Sequence, residues 1–180
     1  ITPKAIFVSG YASAPLAADC DYVLAGKEKE LQATVTALSK LTSGEVHVSI
    51  GKSTNSPFSG LNNIVLHKVS GPHPSGNVGT QINKIDPVNK GEVVWTINPQ
   101  DLVIIGELLL TGKFHAERII ALAGSSVAAP KYYKTIIGAS IASLVEGKLK
   151  GDNNRVISGN ILTGKTKSLK GSFGFYDTMI

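Results

Sequence analysis

The groups best suited to bind or polarise another molecule are concentrated in ten residues, Gly71-Pro72-His73-Pro74-Ser75-Gly76-Asn77-Val78-Gly79-Thr80. His73 leads them, because a neutral imidazole offers one donor and one acceptor and changes charge near neutral pH. Gly76 and Gly79 have no side chain, so their backbone N–H groups can face a phosphate, a carboxylate or a carbonyl oxygen directly. Pro72 and Pro74 fix φ and stiffen the segment. Within this loop neither Gly-x-Gly-x-x-Gly nor Gly-x-x-x-x-Gly-Lys-Ser/Thr occurs, so it carries no nucleotide fingerprint. A loop that needs glycine only for its backbone shape would have the same composition. Trp95, the only tryptophan, follows in Val94-Trp95-Thr96-Ile97. Strand alternation there favours a ring packed in the core, and an aromatic wall for a flat ring is the alternative.

The remaining titratable groups form no catalytic pattern. His47 and His67 lie in separate strand-like segments and His115 follows a helix end, with no i, i+4 pair to suggest a metal site. Asp19 and Asp21 flank Cys20 in what reads as a loop, and Glu28 and Glu30 belong to a solvated helix face. Ser9, Ser125 and Ser158 each neighbour a glycine, yet none stands in Gly-x-Ser-x-Gly. Cys20 is the only cysteine, which excludes an intramolecular disulfide or an iron–sulfur cluster within this chain. Its two carboxylate neighbours would raise a thiol pKa, the opposite of what a nucleophile needs.

The elements that must hold these groups follow from periodicity. Residues 5–10 read as a buried strand, and residues 27–40 as a helix with Leu31, Val35 and Leu38 on one face. Residues 46–50 alternate as a second strand, which makes a βαβ-type unit and a mainly parallel sheet. Residues 52–60 read as a loop, 63–69 as a strand, and 92–97 as another. Asn98-Pro99-Gln100-Asp101 has the form of a helix start, with Asn98 as N-cap and Pro99 at the first helical position. The helix body runs over 102–110 and Gly112 stops it. From Arg118 the pattern changes to a strand over 118–123, a strand over 131–137, a short helix over 140–146 with Ser140 as its cap, and a strand over 155–159. Two strands, a helix and a strand is the order of a β-grasp. The segment after Ile161 is rich in Gly, Lys and Ser.

The pairing of the loop at 71–80 with Val94-Trp95-Thr96-Ile97-Asn98-Pro99-Gln100-Asp101 resembles the NqrA family, a component of the sodium-translocating NADH:quinone oxidoreductase of bacterial membranes. Ala121-Leu122-Ala123-Gly124 and Arg155-Val156-Ile157-Ser158-Gly159-Asn160 continue the likeness in the same order. The resemblance implies an α/β lobe over 1–115, similar to the core of the complex I flavoprotein subunit, and a soluble-ligand-binding (SLBB-like) β-grasp lobe over 116–165. Residues 166–180 would begin a further, truncated element, and the chain would be a piece of a longer one. The resemblance also implies a non-redox, peripheral component on the cytoplasmic face of the bacterial inner membrane. Its partners would be the other subunits of a pump coupling NADH oxidation by quinone to sodium export. No cofactor is expected on this chain, since the flavin loop and Glu-Glu-Thr segment of the complex I relative are missing. Quinone is the one expected ligand of the complex. A quinone ring wants an apolar wall and one or two donors, so His73, Gly76, Gly79 and Trp95 are its expected contacts.

Composition agrees with a globular protein: 42% hydrophobic and 17% charged residues. The net charge of +5 is spread along the chain and aromatics make up 6%, which does not form the dense basic stripe that nucleic acid requires. The longest apolar run, over 102–110, contains Glu107 and is too short to span a membrane. Two other readings stand beside the first: a free-standing β-grasp module for a small soluble ligand, and a flavin-binding piece of a complex-I-like protein.

Overall fold

A computed structural model of the chain describes residues 1–52 and 55–180. Ser53 and Thr54, inside the loop expected over 52–60, lie outside the described residues. The chain divides into two compact units, one of residues 1–13 and 19–115, the other of residues 14–18 and 116–180.

The first unit is a parallel α/β layer. Strands β1 (Ala5–Ser9), β2 (Val46–Gly51), β3 (Val65–Val69) and β4 (Val94–Ile97) form one sheet in the order β3-β2-β1-β4. Every pairing is parallel, where the βαβ pattern predicted a mainly parallel sheet. Ile6, Val8, Val46, Val48 and Ile50 put one face of the sheet into the core together with Leu31 and Leu38 of α2 (Glu28–Leu38) and Leu102 of α4 (Pro99–Thr111). Leu31, Val35 and Leu38 are all buried, which is the apolar stripe read from the sequence. The start of α4 is also as expected. Asn98 Oδ1 accepts from Gln100 N–H at 3.0 Å, Pro99 occupies the first turn, and Gly112 ends the helix at φ 72°.

Two elements differ from the sequence-based expectation. Asp19 and Cys20 do not lie in a loop: α1 (Cys20–Leu24) begins there, and Asp19 Oδ1 accepts from the N–H groups of Asp21 and Tyr22 at 3.0 and 3.2 Å. Five residues are too few to show a helical period. The second difference is α3 (Val78–Ile85), which begins inside the segment read as a loop. Gly79 conceals it, because glycine disfavours helix interiors. Helices α2 and α4 meet so closely that a Cβ on Gly106 would overlap the carbonyl oxygen of Glu30. Thr34 Oγ1 closes the same seam by donating to Leu102 O at 2.6 Å.

The second unit has the expected order of two strands, a helix and a strand. Strands β5 (Glu117–Leu122) and β6 (Lys131–Ile136) pair antiparallel, α5 (Ile141–Val145) follows, and β7 (Val156–Ser158) pairs antiparallel with β8 (Lys165–Lys167). Ser140 stands at the N-cap of α5 but its side chain makes no capping bond there. Residues 168–180, read from the sequence within a further element, contribute to this unit's core. Phe173 and Ile180 are buried with Ile120, Leu122, Ile141 and Val156.

Candidate functional site

In a parallel sheet of this order the connections reverse direction between β1 and β4, and the crevice beyond the strand ends is where open α/β sheets bind ligands. The loop of 71–77 lies over the carboxyl end of β1. Gly76 N–H donates to Ser13 Oγ at 2.8 Å, and Tyr11 OH donates to Gly71 O at 3.1 Å. Ser9 Oγ lies 3.1 Å from Gly76 O and accepts from Gln81 Nε2 at 2.9 Å. Gln81, buried in α3, also donates to Ser75 O at 3.1 Å. A Cβ on Gly76 would overlap the backbone nitrogen of Ser13. Glycine is required there by close backbone approach, and its N–H is already taken by Ser13.

The four residues expected to share a ligand are not brought to one place. His73 is half-buried, with Nδ1 3.2 Å from Ser13 Oγ. Gly79 is exposed in the first turn of α3, where N–H groups have no partner within the helix. Trp95 is not a core residue. It lies on the edge strand β4, 38% exposed. Its register partner is Ile6, so it shares the sheet face of α2 and α4. Gln81 of α3 reaches Ser9, which has the opposite parity along β1. Trp95 and the loop therefore belong to opposite faces of the sheet.

The histidines that look unrelated in the sequence are neighbours. His47 and His67 occupy the same face of adjacent strands, and His47 Nδ1 lies 3.0 Å from His67 Nε2. Phe7 stacks on His47 with ring centroids 4.8 Å apart. Burial lowers the pKa of both imidazoles, and for His47 the neighbouring His67 lowers it further. Among the described residues no group of three or more His, Cys, Asp or Glu side chains is arranged to hold a metal ion. Cys20 packs beside the core, and its thiol is pushed up to about 12, by burial first and then by Asp21 and Asp19. It remains a neutral thiol at physiological pH.

A cavity of about 450 Å³ opens between β3 and α3. Lys52, Lys68 and Lys84 line it together with His67, Ser70 and Thr80. No single stretch of sequence announces this grouping, because the three lysines are sixteen residues apart.

One further pattern, which the motif reading did not single out, has the spacing of a phosphate loop: Gly159-Asn160-Ile161-Leu162-Thr163-Gly164-Lys165-Thr166. The structure gives it a different use. A phosphate loop joins a strand to a helix, whereas this segment joins β7 to β8. Asn160 Oδ1 accepts from the N–H groups of Leu162 and Thr163 at 2.9 Å each, and Gly164 N–H donates to Asn160 O at 2.7 Å. The donors that would cradle a phosphate are consumed by the turn itself. Gly164 is there because a Cβ would stand 2.5 Å from Asn160 O.

Comparison with known proteins accounts for both units. The family model described as the NqrA second alpha/beta domain matches residues 1–114, and the NQRA C-terminal domain, an SLBB domain, matches residues 119–168. The chain is 41% identical over 163 residues to the NqrA component of the Na(+)-translocating NADH-quinone reductase of Cellvibrio japonicus. It is 42% identical over 166 residues to that of Klebsiella pneumoniae. Each alignment covers 91% of this chain and 36% of the relative, so the chain spans about a third of the relatives' length. The fold is also similar to a chain of an NAD+-reducing [NiFe]-hydrogenase, with a TM-score of 0.63 over 99% of this chain and 40% of that one, at 12% identity. That likeness concerns the fold alone. With its two units matched in order by the family's two consecutive domain models, the chain belongs to the NqrA family, as its second α/β domain and C-terminal SLBB domain.

Proposed function

We propose that this chain works as a peripheral, non-redox part of a sodium-translocating NADH:quinone reductase, attached to the cytoplasmic face of the membrane by partner subunits. Its similarity to the NqrA component of that complex over 90% of its length, in both units, carries the reading. Among the described residues no helix is long and apolar enough to cross a membrane. Attachment through partners is consistent with that. NADH oxidation and electron transfer would belong to other subunits, and no cofactor is assigned to this chain.

For quinone, the loop over β1 is the part that retains suitable donors. With Ser13 Oγ–H donating a hydrogen bond to His73 Nδ1, the neutral imidazole carries its own hydrogen on Nε2 and can donate to a quinone carbonyl. The N–H of Gly79 is a second donor. Gly76 supports the loop by its bond to Ser13. Trp95, on the opposite face, would meet a quinone only at a separate place. The test is the assembled complex with His73→Ala, measuring NADH-to-quinone turnover and the KM for quinone. A KM raised about tenfold with little change in kcat supports a contact made equally in ground and transition states. Wild-type values for both remove His73 from the quinone path.

A further inference from the structure

We propose that Ser13 fixes the hydrogen of the neutral His73 imidazole on Nε2, and that the loop over β1 thereby selects oxidised quinone over its reduced quinol. The inference rests on the quinone reading above and names the residue that sets which redox form is held.

The hydroxyl of Ser13 stands between two partners. Gly76 N–H donates to its Oγ at 2.8 Å, and His73 Nδ1 lies 3.2 Å from the same oxygen. A serine hydroxyl has one hydrogen to give. If that hydrogen goes to Nδ1, all three groups are satisfied in one chain of bonds, from Gly76 N–H to Ser13 Oγ and from Ser13 O–H to His73 Nδ1. The reverse arrangement puts two donors, Gly76 N–H and Nδ1–H, on one oxygen. Among the described residues the hydroxyl hydrogen of Ser13 then has no acceptor. Bonds that run in one direction along a chain also polarise one another, which favours the first arrangement. Nδ1 is then an acceptor, so the hydrogen of the neutral ring sits on Nε2. Close backbone approach holds the pair in place. A Cβ on Gly76 would overlap the backbone nitrogen of Ser13 and stand 2.8 Å from its Oγ.

The other ring nitrogen is open. His73 Nε2 is not buried, and it has no hydrogen-bond partner among the described residues. The carbonyl acceptors of the loop are engaged instead. Gly71 O accepts from Tyr11 OH at 3.1 Å and from Ser75 Oγ at 2.8 Å. Pro72 O accepts from Ser75 N–H at 3.0 Å, Pro74 O from Asn77 N–H at 2.9 Å, and Ser75 O from Gln81 Nε2 at 3.1 Å. What the loop presents at His73 is therefore a donor. A quinone carbonyl is an acceptor with no hydrogen of its own, and it matches that donor. A quinol hydroxyl carries a hydrogen that needs an acceptor, and the fixed ring offers none. An imidazole free to exchange its hydrogen between the two nitrogens would serve both forms. One held by Ser13 serves the oxidised form and lets the reduced form leave.

The experiment has two readouts. Full-length protein carrying isotope-labelled histidine gives the tautomer of His73 by nitrogen NMR, with the signals assigned through His73→Gln. With the imidazole neutral, the expected spectrum shows the Nε2–H form alone and an Nδ1 resonance displaced by hydrogen-bond acceptance. Ser13→Ala yields both tautomers and removes the displacement. Ser13→Thr keeps the hydroxyl and restores the wild-type spectrum. In the assembled complex, turnover with a short-chain ubiquinone gives the KM for quinone and the inhibition constant of its quinol as product. Ser13→Ala lowers the ratio of the quinol constant to the quinone KM by about fivefold, the effect of one net hydrogen bond. Ser13→Thr returns the ratio to the wild-type value. Unchanged melting temperatures verify that both variants are folded, and the wild-type spectrum decides the tautomer even where a variant is not. An Nδ1–H form in the wild type, or tautomers unaffected by Ser13→Ala, overturns the inference. Wild-type KM in His73→Ala overturns the quinone reading and this inference with it. A raised KM in His73→Ala beside an unchanged ratio in Ser13→Ala overturns this inference alone.

Discussion

The two units cover small sheets by different means. In the first, α2 and α4 are 11 and 13 residues long and pack face to face across a seam built on Gly106 and Thr34. In the second, α5 has five residues and β7 and β8 have three each, lengths with little stability of their own. What closes it is the irregular segment 168–180. Ala121 N–H donates to Thr178 O at 3.0 Å, Ile180 N–H to Ala121 O at 2.8 Å, and Phe173 N–H to Ala139 O at 2.8 Å. Ser158 Oγ donates to Asp177 Oδ2 at 2.5 Å and accepts from Gly174 N–H at 2.9 Å. Regular elements stabilise the first unit through repeated side-chain packing. The second depends on a few apolar anchors and polar ties contributed by a segment with little regular structure.

That contrast is breakable. Phe173→Ala should have the largest effect, costing about 3–5 kcal/mol, because it empties an aromatic site in the second core. Urea denaturation with amide exchange at 117–122 and 131–136 measures it. A cost under about 1 kcal/mol would show that the terminal segment is an accessory. Gly106→Ala is the matching break in the first unit. The new methyl meets the backbone of Glu30, which cannot step aside as a side chain would, so about 2–3 kcal/mol is expected. Protection lost only in 5–9 and 46–51 sharpens the contrast; equal loss in both units contradicts it.

Asn98→Ala should cost about 1 kcal/mol, the usual effect of removing one helix cap. It is read from the shift in the urea midpoint at unchanged slope. The smallest expected effect concerns pH. His47 and His67 both titrate below the ordinary value of 6.5 in the folded chain, chiefly because of burial. The unfolded chain therefore binds more protons between 6.5 and the folded values, and stability falls as pH drops through that window. Above it neither histidine contributes. His67→Leu should flatten the decline below pH 6.5 in a stability–pH profile, and an unchanged slope would remove the pair as its origin.

Elements with a strong period were readable from the residues alone. The stripe Leu31, Val35, Leu38 announces α2, and Asn98-Pro99 with Gly112 announces both ends of α4, because caps and amphipathic faces are local properties. Short or glycine-bearing helices were not. Five residues in α1 and Gly79 in α3 leave no window long enough for a period to emerge. The loop at 71–80 was readable as special from its glycines, prolines and His73. What the loop's donors do was not readable, since Ser13 and Ser9 are more than sixty residues away in sequence.

The sequence by itself determined the longer, strongly patterned elements and their order, a mainly parallel first sheet, the β-grasp order of the second unit and the family. All of these rest on local pattern or on motifs read in line. Only the tertiary structure decided which side chains meet. It set His47 beside His67, turned Trp95 to the face away from the loop, and tied Gly76 to Ser13. The physical reason is common to all three. Strand register and sheet order fix which face and which neighbour a residue receives, and both are set by packing between segments far apart in the chain.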